Sequence, residues 1–230
     1  MLYDVVYLVK ESPINEELRY SLRSVEENFP CRRVFFYGGC PDGIVPDQRV
    51  RLSQNQKTKW LNTTGMLHQV CRNGDISENF WLFNDDFFVM RPVLKRPVPY
   101  YDGDIFDRIR EIEARAGRKT EYSKNLRRMA KLLQKNKFET KNYAVHLPML
   151  VNRDAAAHLF QRFPNEPMFR CLYGNYFKIG GRDASDVKIY NRTDRWSGSL
   201  FLSTSDDSFR EGAVGEQVRE IFGRPSRWEI

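Results

Sequence analysis

The chain has 230 residues, of which 41% are hydrophobic and 13% aromatic, enough for one packed α/β domain and too apolar for a disordered polypeptide. Its formal net charge of +7 favours anionic partners, from nucleotides to nucleic acid, without choosing among them. No apolar run approaches the ~20 residues that span a bilayer. No basic leader precedes an apolar run at Met1–Asp4, and Cys31, Cys40, Cys71 and Cys171 lack CxxC spacing, so reduced thiols and a cytoplasmic location are expected.

Tyr3–Val9 is a short apolar, β-branched run that predicts a buried strand. Ser12-Pro13 is read as the opening of a helix, with a cap residue, proline at the first helical position, and Glu16 and Glu17 in the first turn. Leu18, Leu22, Val25 and Phe29 recur on one face, and Pro30 stops the helix. Arg33–Tyr37 predicts a second strand, ended by Gly38-Gly39; strand, helix, strand is a βαβ unit and implies a parallel sheet. Val50–Leu52 is a candidate third strand, and Asn62–Cys71 a helix with Thr63 or Thr64 as its cap. Asn79–Phe83 predicts a fourth strand that ends in Asn84-Asp85-Asp86, beyond the carboxyl end of a strand, where open α/β sheets place ligands.

From Asp104 to Lys141 the composition turns helical and basic. Ile105, Ile109 and Ile112, then Leu126, Met129, Leu132 and Leu133, predict two amphipathic helices broken around Gly117. The segment is too short for its own core, so 104–141 is read as a basic helical insertion within a single domain, 1–230. Its charge suits either a solvated face or a platform for an anionic polymer. Tyr143–Val151 reads as another strand, Arg153–Phe163 as a helix capped by Asn152 or Asp154, and a last helix lies near Glu216–Phe222. Arg170–Ile179 is aromatic-rich; Tyr173, Tyr176 and Phe177 are core residues or stacking surfaces for a sugar or base.

Adjacent carboxylates after a buried strand have a specific use. A hard divalent cation such as Mn²⁺ or Mg²⁺ needs oxygen ligands, and can bridge a nucleotide's phosphates while one or two carboxylates hold it. Asp85 and Asp86 could also simply close a turn. Glu17–Ser24 (ELRYSLRS) and Phe80–Phe88 (FWLFNDDFF), with Val34-Phe35-Phe36 between them, resemble the Stealth family of capsular-polysaccharide phosphosugar transferases and related phage and bacterial glycosyltransferase-like proteins, over roughly residues 3–95.

That resemblance implies a GT-A-like (Rossmann-like) mixed sheet flanked by helices. It implies a metal-dependent transferase that moves a sugar or sugar phosphate from a nucleotide-sugar donor to a hydroxyl on a glycan or modified DNA base, in a bacterial cell or phage-infected host. Its acidic turn would hold the metal and diphosphate through Asp85 and Asp86, with Asn84 beside them, and its first strand would hold the nucleotide. His146 would complete the metal shell. After the first strand Val9-Lys10-Glu11-Ser12 stands where that family has a Val-Asp-Gly-type motif, so glycosyl and phosphosugar transfer both stay open.

Arg19 and Arg23, one helical turn apart, form a candidate phosphate clamp or pair with neighbouring glutamates. Lys59, with Lys57 before Trp60, is a second candidate phosphate contact. Asp183 and Asp186 follow Gly180-Gly181, and either is a candidate general base or a solvated turn residue; Asp183 is taken with Asp86 as the catalytic pair. A rival from another class is a non-catalytic, basic nucleic-acid-binding protein with a structural acidic turn.

Overall fold

The computed structural model describes residues 2–230. Strand β1 (Asp4–Val9) leads into helix α1 (Glu16–Asn28), strands β2 (Val34–Gly38) and β3 (Gln48–Arg51), helix α2 (Lys59–Arg72) and strand β4 (Asn79–Phe83). Then come β5 (Phe87–Val89), β6 (Tyr100–Tyr101), helices α3 (Ile105–Ala116) and α4 (Glu121–Lys135), strand β7 (Met149–Asn152), and helices α5 (Arg153–Arg162) and α6 (Phe169–Tyr176). Last are β8 (Arg182–Asp183), β9 (Lys188–Ile189), β10 (Phe201–Thr204), α7 (Asp206–Glu211) and α8 (Ala213–Ile221).

The main sheet has the order β3-β2-β1-β4-β7. Its first four strands run parallel, and β7 lies antiparallel beside β4. The architecture is therefore α/β with a mixed sheet flanked by helices, compatible with a Rossmann-like fold. Chain order reverses between β1 and β4, the kind of switch point at whose carboxyl ends open α/β sheets place ligands. β1, β2 and β4 are covered on both faces, which is why they read as continuous apolar runs. Leu18, Leu22, Val25 and Phe29 of α1 pack with Val5, Tyr7, Phe36 and Phe83 on one face. Val6, Phe35 and Leu82 pack with α2 and the helical layer α3–α6 on the other. Each fully buried Leu or Val contributes about 1.5–3 kcal/mol of transfer free energy.

The helical pair matches its predicted break: Gly117 ends α3 at φ 62, and a Thr120–Ser123 capping box starts α4. Its apolar face joins the same core as the sheet. A second sheet, β5-β10-β9, carries β9 and β10 up to the end of β4. Among the described residues no helix is long and apolar enough to cross a membrane, and the four cysteines are free.

Three elements differ from expectation. Helix α1 begins at Glu16, capped by Asn15, because the Ser12 hydroxyl turns back on Ile14 instead. Helix α2 is capped by Thr58, and the Thr63 and Thr64 hydroxyls bond backward within the helix to Lys59 and Trp60. The strand expected over Tyr143–Val151 begins only at Met149: Pro148 has no N–H for a ladder, and the His146 N–H is taken by Asp186. Arg170–Ile179, read from the sequence only as aromatic-rich, is mostly the helix α6, with Phe169, Leu172, Tyr173 and Tyr176 at helical spacing.

Candidate active site

The turn Asn84–Asp86 links β4 directly to β5, closed by a Phe87 N–H bond to the Asn84 carbonyl at 3.3 Å. Its carboxylates are met from three directions. Asn15 accepts the Leu18 N–H as the cap of α1, and its Nδ2 donates to Asp85 Oδ2 at 2.7 Å. Asp86 Oδ2 receives Lys188 Nζ of β9 at 2.5 Å and Ser203 Oγ of β10 at 3.1 Å. Asp86 Oδ1 is buried and has no partner among the described residues. Glu17, in the first turn of α1, accepts from Thr204 Oγ1 at 2.7 Å.

The negative charge here exceeds what one ammonium answers. Burial, then the Asp86 charge, pushes the Asp85 carboxyl up to about 6. Burial above all, reinforced by Asp86, Asp85 and Asp206, pushes Glu17 up to about 8 in spite of its Thr204 bond. Burial works against the Lys188 charge, yet Asp86 outweighs it and holds the lysine above its ordinary range. Behind the turn, Arg170 of α6 donates to the Leu147 carbonyl at 2.6 Å, the Leu82 carbonyl at 3.2 Å and Asn84 Oδ1 at 3.3 Å. Its guanidinium lies 5.4 Å from the Phe87 ring centre, and burial lowers it to about 10. A buried carboxylate oxygen left unpaired costs about 1–3 kcal/mol, more for a charged group, so this turn is held under electrostatic strain.

His146 lies in the loop before β7. Its backbone N–H donates to Asp186 Oδ1 at 3.0 Å, and its ring Nδ1 stands 2.6 Å from Asp186 Oδ2. A carboxylate only accepts, so Nδ1 carries the proton of this bond, and Nε2 is the ring nitrogen that faces away from Asp186. The imidazole meets the Phe87 ring edge-on, 6.3 Å between centres. Burial raises Asp186, but the His146 bonds and the Arg108 charge, 3.8 Å away, leave it below its ordinary range. Among the described residues no three acidic, imidazole or thiol groups are gathered as a metal cage, and the imidazole that the sequence suggested beside Asp85 and Asp86 is held at Nδ1 by Asp186.

The other expected residues lie elsewhere. Asp183 is exposed in β8, where it caps the Gly103 N–H at 3.0 Å; Asp186, weighed with it, is the one that reaches the site through His146. Arg19 and Arg23 project from α1 about 200° and 240° around the axis from Glu17. Both bind Glu229, at 2.8 Å and 2.7 Å. Lys59 is exposed at the start of α2, its ammonium 5.2 Å from the Trp60 ring centre. Sequence reading missed Lys188, Ser203, Thr204 and Arg170, which carry no local motif. It took Glu17 only as a helix-dipole residue, and gave Asn15 no role.

A cleft of about 440 Å³ opens at the carboxyl ends of β1, β2 and β3, lined by Glu11–Pro13, Gly38–Cys40 and Arg51–Ser53. It falls in the size range of small-molecule sites. A side chain at Gly38 (φ +105) would fall 2.3 Å from the Val9 carbonyl, and one at Gly39 2.6 Å from that of Lys10, so both glycines are needed where the two strands part. Ser12–Asn15 joins this cleft to the acidic turn, with Pro13 on its rim and Asn15 on Asp85.

No protein-family model matches the chain. It is 25% identical over 269 aligned positions to an exopolysaccharide phosphotransferase of Nocardia farcinica (strain IFM 10152), an alignment that covers 93% of this chain and 53% of that protein. The chain thus spans about half the length of the curated relative it matches.

Proposed function

We propose that this chain binds a nucleotide sugar across the carboxyl end of its main sheet and transfers the sugar phosphate to a glycan hydroxyl. The observation that carries this reading is Asp86: a carboxylate at the end of β4 whose buried Oδ1 has no partner among the described residues. The donor set fits Mg²⁺ or Mn²⁺, which take oxygen ligands, keep several waters, and need only one or two carboxylates beside the substrate's phosphates. Asp86 and Asp85 would hold it. When bound, such an ion supplies charge neutralisation to the diphosphate and to the leaving group.

The remaining work falls to residues already in place. The Gly38–Gly39 cleft receives the nucleoside. Lys188, the present counter-ion of Asp86, is placed to exchange that carboxylate for a phosphate oxygen. Arg170 fixes Asn84 and the path of the turn. His146, held by Asp186, takes the acceptor's proton at Nε2. The acceptor oxygen bonds to the sugar-bearing phosphorus, the bridging P–O bond of the diphosphate breaks, and a nucleoside monophosphate leaves. The name of the Nocardia relative, a phosphotransferase, supports phosphoryl over glycosyl transfer.

The test is to incubate the protein with UDP-, GDP- and CDP-sugars, Mn²⁺ or Mg²⁺ and an oligosaccharide acceptor, and to identify the released nucleotide by mass spectrometry. Monophosphate release supports the proposal, and diphosphate release replaces it with glycosyl transfer. If no donor is consumed and the protein instead binds DNA with steep salt dependence indifferent to Asp86→Asn, the nucleic-acid-binding alternative stands.

A further inference from the structure

Tyr190 immediately follows β9 and is 41% exposed, whereas most large apolar and aromatic side chains are buried. It is surrounded by positive charge. The Arg115 guanidinium of α3 lies 4.7 Å from its ring centre, and Lys188 Nζ lies 5.9 Å away. Arg108 lies two turns before Arg115 on the same face of α3. Arg108 is answered by Glu111 at 3.0 Å and Asp186 at 3.8 Å, and Lys188 by Asp86. Arg115 is exposed and has no carboxylate partner among the described residues.

Both ends of this group lead into the acidic site. Lys188 bonds Asp86, and Arg108 meets Asp186, which holds His146. A partly exposed aromatic ring, with a guanidinium that has no carboxylate partner laid over it and set between the two halves of that site, is suited to one kind of occupant. The ring stacks on the apolar face of a sugar, and the guanidinium takes a carboxylate or phosphate borne by it.

We propose that Tyr190 and Arg115 form the acceptor subsite, and that the acceptor is an anionic saccharide. The inference rests on the transfer reaction proposed above, and narrows its acceptor from any glycan to an acidic one. The basic surface then contributes selectivity rather than general attraction: neutral saccharides gain the stacking contact alone.

The test is calorimetric titration of the full chain at moderate salt with tetragalacturonate, with glucose 6-phosphate, and with neutral maltotetraose and glucose as matched controls. Tetragalacturonate reports the carboxylate and glucose 6-phosphate the phosphate. We expect at least one of them to bind about tenfold more tightly than its neutral control. Tyr190→Ala and Arg115→Ala should each weaken that binding about fivefold to tenfold, and Tyr190→Phe, which keeps the ring, should leave it within about twofold. Equal affinity for charged and neutral sugars, or full affinity in Tyr190→Ala, overturns the proposal. A Tyr190-dependent affinity for single-stranded oligonucleotide that exceeds both sugars reassigns the surface and overturns it too. The metal-dependent melting shift with a nucleoside diphosphate should be unchanged in Tyr190→Ala. If sugar binding fails while that shift persists, only the acceptor falls; if the shift is absent, the donor reading falls instead.

Discussion

Two charged clusters lie on opposite sides of α1 and have settled differently. On one side Glu229 Oε1 accepts from Arg23 Nε at 2.8 Å and Ser226 N–H at 2.8 Å, and Oε2 accepts from Arg19 at 2.8 Å and Arg23 at 2.7 Å. Burial pushes this carboxyl up, but the bonds from Arg23, Ser226 and Arg19 outweigh it and bring it down to about 2. On the other side Asp86 Oδ1 is unpaired among the described residues, and Asp85 and Glu17 are pushed up to about 6 and 8. One cluster has both carboxylate oxygens answered by donors; the other leaves a buried carboxylate oxygen unanswered. Residue type alone would rank the arginine pair as the phosphate site, and the state of the carboxylates reverses that ranking.

The comparison breaks most visibly in activity. Asp86→Asn should lower metal-dependent nucleotide release by about 100-fold or more while the protein stays folded, measured by turnover and circular dichroism. A loss of less than about tenfold takes the turn out of the chemistry. Glu229→Ala should do the reverse. It leaves two arginines facing a hole and should cost about 3 kcal/mol in urea denaturation, with turnover of the folded fraction unchanged. A cost below about 1 kcal/mol would make the cluster an ordinary surface pair.

The two clusters should also respond to pH with opposite sign. Glu17 is raised in the folded state, so the native protein holds a proton the unfolded chain has released, and stability falls as pH rises from about 4.3 to about 8. Glu229 is lowered, so its contribution is present above about 4.3 and is lost as pH falls through about 2. Glu17→Gln should flatten the neutral-pH slope in melting experiments and leave the acid limb alone; an unchanged slope removes Glu17 from the strained group. The smallest effect is expected at Lys59→Ala, within about 0.5 kcal/mol for an exposed side chain, with no change in donor-induced stabilisation. A loss of that stabilisation would restore Lys59 as a phosphate contact.

The main sheet was legible because its information is local: β1, β2 and β4 are apolar runs, and the face of α1 is a helical repeat. The place of Asp85 and Asp86 followed from the strand before them. What completes the site was not legible, because Lys188, Ser203 and Thr204 reach Asp86 and Glu17 across separations of 102, 117 and 187 residues. The partner of Arg19 and Arg23 was hidden for the same reason: Glu229 lies 210 and 206 residues away. Asp183 and Asp186 could not be told apart until the fold brought one to His146 and the other to Gly103. Side-chain partners at such range leave no periodicity behind them.

We propose that the unpaired oxygen of Asp86 receives a cation that brings a diphosphate with it. The direct measurement is the melting temperature with UDP, GDP or CDP, with and without Mn²⁺, in the native chain and in Asp86→Asn. We expect a rise of several degrees for one of these nucleotides only when Mn²⁺ is present, absent in Asp86→Asn. A rise that persists without metal, or that survives in Asp86→Asn, contradicts it.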